Sequence, residues 1–339
     1  MKFFGWLKQN FNLILIVVFV IGLIGLVASG ILAVINKTEQ LPQQEEVLYL
    51  DSLTGEFKPQ KTVVNPVAFI IDNATEVRPQ TGLGQSSIVY EALAEGGITR
   101  FLAIYNYNDE VNNIGPVRSV RPYFLDWASE YQPALFHVGG SPGALEVIND
   151  YSIINIDEMG ADEIYFFRSS RLKSPHNVYS STDLWQTIDQ LKNREVDFRP
   201  WSFKKVEEKY CPAEGQEIII YYSYDNYQVR WLYDCVTGQY LRFNGSQEHQ
   251  DEAGSQLLTN KVIVQFVKSW LIDIERLGMQ TVGQGKALIF QNGRVNTGIW
   301  KKESKQSRTY FYNNEEQPID LIPGKTWIEI VPPLTSVKY

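Results

Sequence analysis

Residues 11–35, FNLILIVVFVIGLIGLVASGILAVI, form an apolar run that decides the architecture of this chain. No charged residue lies between Lys8 and Lys37. As a helix, the run would rise about 37 Å, and the hydrocarbon core of a bilayer is about 30 Å thick. The sequence therefore predicts one transmembrane helix over residues 11–35, with residues 1–10 in front of it and a large body behind it.

The charges on either side of the run predict its orientation. Lys2 and Lys8 precede it, whereas the segment after Lys37 is mainly acidic. Under the positive-inside rule, the N-terminus stays in the cytoplasm and residues 36–339 lie outside the cell membrane. A cleaved signal peptide is the alternative, with a candidate cleavage site at residues 28–30. The apolar run continues past that site, which favours an uncleaved, single-pass anchor.

The part of the chain after the run can bury a sizeable core. It has about 300 residues, and the chain is 44% hydrophobic and 13% aromatic, which suits two ordinary domains. The formal net charge is −8, and residues 1–35 contribute +2 with no acidic residue, so the outer part carries −8 − 2 = −10. Such an acidic body argues against nucleic acid as a partner and against adsorption to an anionic bilayer.

Cys211 and Cys235 are the only cysteines in the chain. Outside the membrane such a pair can oxidise and remain oxidised. Both flank one predicted hairpin, and a bridge would close a loop of about 25 residues, so we predict a disulfide. The alternative is two separate buried thiols. No cysteine follows the apolar run directly, which argues against a lipidated N-terminus.

The outer sequence falls into a linker and two predicted domains. Residues 36–64 are rich in Gln, Glu, Pro and Lys, which is typical of a stalk. In residues 65–202, predicted strands alternate with predicted helices, which indicates an α/β domain. The predicted strands are 66–72, 99–107 and 134–138, and the predicted helices are 85–95, 122–131 and 144–149.

Residues 203–339 predict a mostly antiparallel β domain. Candidate strands at 217–224 and 227–234 form a hairpin, and Asn292-Gly293 is a strong two-residue hairpin turn. One helix is expected around residues 273–277. Further strands are predicted at 261–268, 287–291, 295–300, 309–312 and 326–331. The predicted fold class is α+β overall, with one N-terminal transmembrane helix, an N-terminal α/β domain and a C-terminal β-rich domain.

Motifs in both halves resemble one known family. They are NPVAFIIDN (65–73), RPQTG (78–82), IGPVRSVR (114–121), PHNVY (175–179), HQD (249–251), GQG (283–285) and GKTWIE (324–329). Together they resemble the YerB-like family of bacterial envelope lipoproteins, described as domain-of-unknown-function family 3048 with N- and C-terminal domains. The resemblance implies a fold and a place in the cell envelope, and it brings no activity and no site residues. The chain departs from the family in lacking a lipidation cysteine.

Two arginines lie where a helix disfavours them. Arg118 and Arg121 come just before Pro122 at a predicted helix start, and the helix dipole opposes cations there. Either carboxylates of the chain pair with these arginines, or a bound anion does. In the second case Arg100 adds to the charge, and neighbouring polar groups orient the ligand. The candidate ligand-binding residues are Arg100, Arg118, Arg121, Asp72, Asn73, His176 and Asn177.

Each catalytic pattern in the sequence meets a physical objection or a simpler explanation. Residues 139–143 fit the G-x-S-x-G motif, but Pro142 lacks the N–H group that an oxyanion hole would need. Glu91 and Glu95 are four apart on a predicted helix and could act with His176 on a glycosidic bond. Two acidic residues on a helix face are usually only solvated. Three histidines with no spaced ligand pair argue against a zinc site.

The sequence therefore favours a non-enzymatic binding or scaffolding module of the bacterial cell envelope. Its lipid partner is the bilayer around residues 11–35, and its expected ligand is an anionic cell-wall component. One alternative is a hydrolase or transferase acting on cell-wall polymers. Another is a protein-interaction subunit of a membrane complex that uses the aromatic face of the β domain. No catalytic residue, metal or cofactor is assigned.

Overall fold

The computed structural model describes residues 2–38, 48–61, 63–196, 198–205, 208–213, 215–274, 276–333 and 336–339. The chain forms two compact units, Met1–Val47 and Leu48–Tyr339. In the first unit, helix α1 spans Lys2–Gln9 and helix α2 spans Phe11–Thr38. Within α2, Phe11–Val34 is long and apolar enough to cross a membrane, as the sequence predicts.

The second unit is called the body below. Its described residues form three short α-helices and 22 strands. The helices are α3 (Pro122–Ala128), α4 (Pro142–Val147) and α5 (Thr182–Trp185). The strands of its first half are β1 (Tyr49–Leu50), β2 (Phe57–Lys58), β3 (Pro66–Asp72), β4 (Ile88–Leu93), β5 (Thr99–Asn106), β6 (Ala134–His137), β7 (Ile154–Asp157), β8 (Phe167–Arg168) and β9 (Val178–Tyr179). Those of its second half are β10 (Glu217–Tyr221), β11 (Gln228–Asp234), β12 (Gln239–Asn244), β13 (Gln247–Glu248), β14 (Leu258–Thr259), β15 (Lys261–Phe266), β16 (Ser269–Leu271), β17 (Leu277–Met279), β18 (Gly283–Gln291), β19 (Arg294–Lys302), β20 (Tyr310–Asn313), β21 (Thr326–Val331) and β22 (Ser336–Lys338).

A central sheet of ten strands organises the body. Its order is β20-β19-β18-β15-β21-β4-β5-β3-β6-β7. Neighbours are parallel in the pairs β15/β21, β21/β4, β3/β6 and β6/β7, and the other pairs are antiparallel. A second, antiparallel sheet has the order β13-β12-β11-β10-β22, with β14 beside β12.

Residues of the central strands alternate between two hydrophobic cores. In β3, Val67, Phe69 and Ile71 face the core shared with the second sheet, whereas Ala68 and Ile70 face the core beneath α3 and α4. The central sheet is thus covered on one face by α3 and α4 and on the other by the second sheet and α5. Because both cores lie within the body, this unit carries its own hydrophobic stabilisation.

The α+β fold class is confirmed, but the body does not divide at residues 202 and 203. Strand β21 of the second half lies between β15 and β4, so both halves contribute to the same sheet. The parallel pairing of β21 with β4 joins residues far apart in sequence. Local patterns of hydrophobicity and turns do not contain that pairing, which is why they suggest two separate domains.

Two predicted helices are wrong. The segment predicted as a helix over residues 85–95 contains strand β4, with Glu91 in the strand and Glu95 beyond it. A strand buried on both faces reads as a continuous apolar run, and such runs imitate helical spacing over short distances. The helix expected around residues 273–277 is replaced by the hairpin of β16 and β17. The helices predicted at 122–131 and 144–149 correspond to α3 and α4.

The predicted stalk of residues 36–64 is too long. From Leu48 onward the chain belongs to the body, where β1 and β2 pair. Leu53 and Val64 are buried in the core beneath α3, so this polar segment is packed despite its composition. Residues 39–47 lie outside the described residues.

Cys211 and Cys235 form the predicted disulfide, with their Cα atoms 5.5 Å apart and a sequence separation of 24. The bridge ties the segment before β10 to the end of β11. We expect the C211S/C235S body to lose about 3 kcal/mol in its free energy of unfolding, because the unfolded chain is then unconstrained. Urea denaturation measures this loss. Reductant should shift the wild-type transition and leave that of the variant in place, and a loss below about 1 kcal/mol would contradict the prediction.

Candidate functional site

The predicted arginine site lies at the carboxyl ends of the parallel strands β3, β6 and β7. In sheets of this kind, strands that diverge leave a crevice where ligands commonly bind. Here residues 117–120 fill the gap between β3 and β6. The Arg118 amide donates to the Ile70 carbonyl (2.8 Å), and the Val138 amide donates to the Arg118 carbonyl (3.1 Å). The chain itself therefore occupies the crevice, and it presents Arg118 at its surface.

Asp72, at the end of β3, holds Arg118 and His176 together. Its Oδ2 atom lies 2.9 Å from Nε of Arg118 and 2.7 Å from Nδ1 of His176. Its Oδ1 atom accepts a hydrogen bond from the Ala74 amide (3.0 Å). Nε2 of His176 lies 3.7 Å from the exposed Glu76 carboxylate. The Asp72 carboxylate is buried, whereas Arg118 and His176 are partly exposed.

Glu95 neutralises the other two predicted arginines. It forms an ion pair with the buried Arg100, and its Oε2 lies 2.7 Å from Nη2 of Arg121. Burial disfavours the ionised Glu95 carboxyl, but Arg100 and Arg121 outweigh this effect and hold its pKa below the usual range. Burial lowers the pKa of Arg100, and the charge of Glu95 opposes that change. The arginines at the start of α3 are thus balanced by carboxylates of the chain.

The two candidate asparagines do not join a common ligand site with these arginines. Nδ2 of Asn73 donates to Thr99 (2.7 Å) and Glu91 (3.3 Å) in the interior. Oδ1 of Asn177 accepts a hydrogen bond from the exposed Arg168 (3.0 Å). The geometry therefore describes a structural ion-pair network. This was one of the two explanations that the sequence allowed for the arginines, and an anion-binding cleft was the other.

The hydrolase alternative finds no support in the positions of its residues. Glu91 is buried, and Arg242 and Thr99 bind its carboxylate at 2.6 Å each. His176 instead contacts Asp72, and Glu95 pairs with arginines. A general acid must reach the substrate, and a fully buried carboxylate cannot contact a polymer. The aromatic face of β11, with Trp231 at its centre, also packs into the core and offers no exposed stacking surface.

A buried charged network, which the sequence did not predict, joins the two sheets. Glu91 of β4 and Glu329 of β21 are direct neighbours in the central sheet and point into the same core. Arg242 of β12 reaches across, with Nη2 2.6 Å from Glu91 and Nη1 3.2 Å from Glu329. Its guanidinium also lies 4.6 Å from the centre of the Trp327 ring. Two like charges side by side are destabilising, so the arginine is required where they meet.

Hydrogen bonds around Arg242 fix the state of His249. Nε of Arg242 donates to Nδ1 of His249 (2.9 Å), so that nitrogen carries no proton. Nε2 must then carry the proton and donate to Oε1 of Gln80 (2.7 Å). Burial, and then the charge of Arg242, hold the pKa of His249 well below its usual range. His249 is therefore neutral and structural.

Glu329 is the acidic member of this network that gives up its charge. Burial, followed by repulsion from Glu91, raises its pKa to about 8. Tyr222 and Trp231 contact its two oxygens at 2.8 and 2.7 Å. A single charged residue inside an otherwise apolar strand, as in TWIEIV at 326–331, was the sequence signal for this network.

A basic cleft, also missed by the sequence analysis, lies elsewhere on the body. Two adjoining cavities of about 360 and 750 Å³ share Lys205, Asn292 and Ile322. We define the basic cleft by the exposed cations that line them: Lys204, Lys205, Lys209 and Arg294. Lys58 also lines it but is paired with Asp51 at 2.6 Å. The acidic residues of the lining are Glu56 and Asp320.

Several contacts hold the walls of the basic cleft. The Asn292-Gly293 turn joins β18 to β19, and both residues have positive φ, as such a turn requires. Asn292 binds the facing segment through the Tyr210 amide (3.1 Å) and the Glu208 carbonyl (3.0 Å). Arg294 lies over the Tyr210 ring at 3.9 Å. The disulfide at Cys211 fixes the same segment, so the cations sit on a constrained surface.

Comparisons with known proteins agree with this architecture. The N-terminal domain of the "Protein of unknown function (DUF3048)" family matches residues 53–196, and its C-terminal domain matches residues 218–328. The "Putative lipoprotein YerB" of Bacillus subtilis is 32% identical over 294 residues, covering 84% of this chain and 87% of that protein. The crystal structure of YerB protein from Bacillus subtilis has a TM-score of 0.76 at 31% identity, covering 86% of this chain and 100% of that one.

Together with the apolar helix α2, these relatives define a membrane-anchored protein of the cell envelope. This chain belongs to the YerB-like family, which consists of the N- and C-terminal DUF3048 domains and has no known function. The family assignment from the sequence motifs is confirmed.

Proposed function

We propose that the body is a non-enzymatic module that binds an anionic polymer of the cell envelope in the basic cleft. The observation that carries this proposal is the concentration of exposed cations there, in a chain with a net charge of −8. Among the described residues, Lys204, Lys205 and Arg294 form no ion pair. Unpaired cations in a concave surface attract anions.

The arrangement of the cations favours a polymer over a single small anion. They line two cavities that adjoin, so the positive charge extends along the cleft. A chain with repeated phosphates or carboxylates can contact several of them at once and release several counterions on binding. Asn292 and Gln291 add amide groups to the lining.

The arginines predicted from the sequence are a weaker choice for this ligand. Asp72 and Glu95 already form ion pairs with them, so an incoming anion would have to displace these carboxylates. The proposed ligand is therefore still an anionic component of the cell envelope, as expected from the sequence. The residues that we propose to contact it are those of the basic cleft.

We expect the K204E/K205E body to bind linear polyphosphate or poly-L-glutamate at least about tenfold more weakly than wild type at low salt. The wild-type affinity should also fall steeply with added salt. Calorimetric titration measures both effects. The two probes distinguish phosphate from carboxylate ligands, and inorganic phosphate tests whether a single anion is enough.

Two control variants make this test specific. K286E/K305E changes the same net charge at exposed lysines outside the basic cleft, and R118A/R121A removes the predicted arginine contacts. Both should bind within about twofold of wild type. The proposal fails if neither polymer binds, if K204E/K205E binds normally, or if R118A/R121A alone abolishes binding.

We also infer that α2 crosses the membrane once, with the N-terminus in the cytoplasm. Lys2 and Lys8 support this orientation. A phosphatase that folds only outside the cytoplasm, fused after Tyr339, should be active in cells. The inference would be overturned if this phosphatase were inactive and a reporter that works only in the cytoplasm, fused at the same place, were active.

A further inference from the structure

The hairpin of β16 and β17 exposes a run of large apolar side chains. Trp270, Leu271, Ile272 and Ile274 have 53%, 70%, 57% and 96% of their surfaces exposed. They are nearly consecutive and stand at the end of a two-stranded ribbon. Apolar side chains scattered singly over a surface need no explanation, but a contiguous group of this kind marks an interaction site.

Hydrogen bonds and packing hold the two strands that carry this hairpin. The Ile272 amide donates to the Arg276 carbonyl (2.8 Å), and the Arg276 amide donates to the Asp273 carboxylate (2.8 Å). The Trp270 ring lies against Gly278 on the opposite strand, where any Cβ atom would collide with it. Trp270 and Leu271 therefore lie in a paired strand, and their exposure does not depend on a flexible loop.

The negative charge of Asp273 at the tip of the hairpin is paired with a positive charge. Among the described residues of the tip the acidic one is Asp273, and its carboxylate is ion-paired with Arg276. Glu275 lies outside the described residues. Lys268 and Lys286 are exposed on neighbouring segments. A paired charge costs less to move into an environment of low polarity than an isolated one does.

We propose that this hairpin, residues 269–274 and 276–279, inserts its tip into the interfacial zone of the lipid bilayer as a second membrane contact. The chain is anchored by α2, so the body is never far from a bilayer and a weak contact suffices. Trp is favoured at the level of the lipid headgroups, and Leu and Ile are favoured deeper, which suits Trp270 followed by Leu271, Ile272 and Ile274.

The binding would be apolar in origin, and this gives it a recognisable signature. The body outside α2 carries a negative net charge, so anionic lipids should weaken the contact. A surface that binds through basic residues would show the opposite trend. The inference is independent of the ligand proposed for the basic cleft.

The first test uses flotation of the isolated body with phosphatidylcholine vesicles, with and without phosphatidylglycerol. We expect I272S/I274S to reduce the vesicle-bound fraction at least about fivefold. The control M159S/V236S replaces two equally exposed apolar residues elsewhere and should bind as wild type does. All four side chains are exposed, so the unfolding midpoints of both variants should stay close to that of wild type.

The second test uses the full chain reconstituted into phosphatidylcholine vesicles. A polarity-sensitive dye on I274C should emit at shorter wavelength than the same dye on M159C. The proposal is overturned if both dyes report water, if I272S/I274S floats as well as wild type, or if phosphatidylglycerol strengthens binding. It is also overturned if sedimentation shows a body dimer that I272S/I274S abolishes while the dye on I274C still reports water, since the partner would then be a second copy.

Discussion

Replacing Arg242 with Met should cost the body about 3–5 kcal/mol in its free energy of unfolding, because the change removes the buried cation that contacts both Glu91 and Glu329. Arg242 is fully buried and bridges Glu91 and Glu329, which are neighbours in the central sheet. Met retains much of the side-chain volume, so the loss reports the charge and not a cavity. Denaturation of the body in urea provides the measurement.

Two comparisons separate this effect from a general loss of arginine. In R230M the lost partner is Glu217 at 3.0 Å, where both side chains are partly exposed, and the cost should stay below about 1 kcal/mol. In R242M/E91Q the uncompensated carboxylate is replaced by an amide, so part of the stability should return. A cost below about 1 kcal/mol for R242M would show that the network contributes little.

The free energy of unfolding of wild type, compared with that of E329Q, should fall as pH rises from 5 to 9. The pKa of Glu329 is raised from 4.5 to about 8 in the folded body. Between these two values the folded state binds more protons than the unfolded state, so rising pH favours unfolding. The full difference is on the order of 5 kcal/mol and is complete above the folded pKa.

E329Q isolates this contribution from others in the same core. The lowered pKa of His249 has the opposite effect: it reduces the free energy of unfolding of the body as pH falls below 6.5, the pKa of His249 in the unfolded chain. That effect is present in both proteins and cancels in the comparison. The control E217Q, at an exposed position, should follow wild type at every pH. Parallel profiles for wild type and E329Q would mean that Glu329 is already ionised in the folded body.

The network at Arg242 also shows where prediction from sequence stops. Glu91 sits in a segment whose apolar residues fit helical spacing, so the sequence analysis assigned it to a helix face with Glu95. In the structure Glu91 pairs with Arg242, 151 residues away, and Glu95 pairs with Arg100 and Arg121. The arginines at the start of α3 do need carboxylate partners, as the dipole argument required, but the choice between Asp72, Glu91 and Glu95 depended on strand order.

The basic cleft was missed for a related reason. Lys204, Lys205 and Lys209 precede β10, whereas Arg294 begins β19. Each is an ordinary surface cation in its own segment. Only the turn at Asn292, the contact with Tyr210 and the disulfide bring them to one surface.

The sequence by itself determined the membrane segment, the disulfide, most strands and the family, because each depends on local composition, local periodicity or short motifs. The tertiary structure decided that both halves share one sheet, that the arginines are balanced internally, and that unpaired cations and an apolar hairpin remain at the surface. Those outcomes arise from contacts between residues distant in sequence, and their free energy depends on burial and on the neighbours that burial brings together.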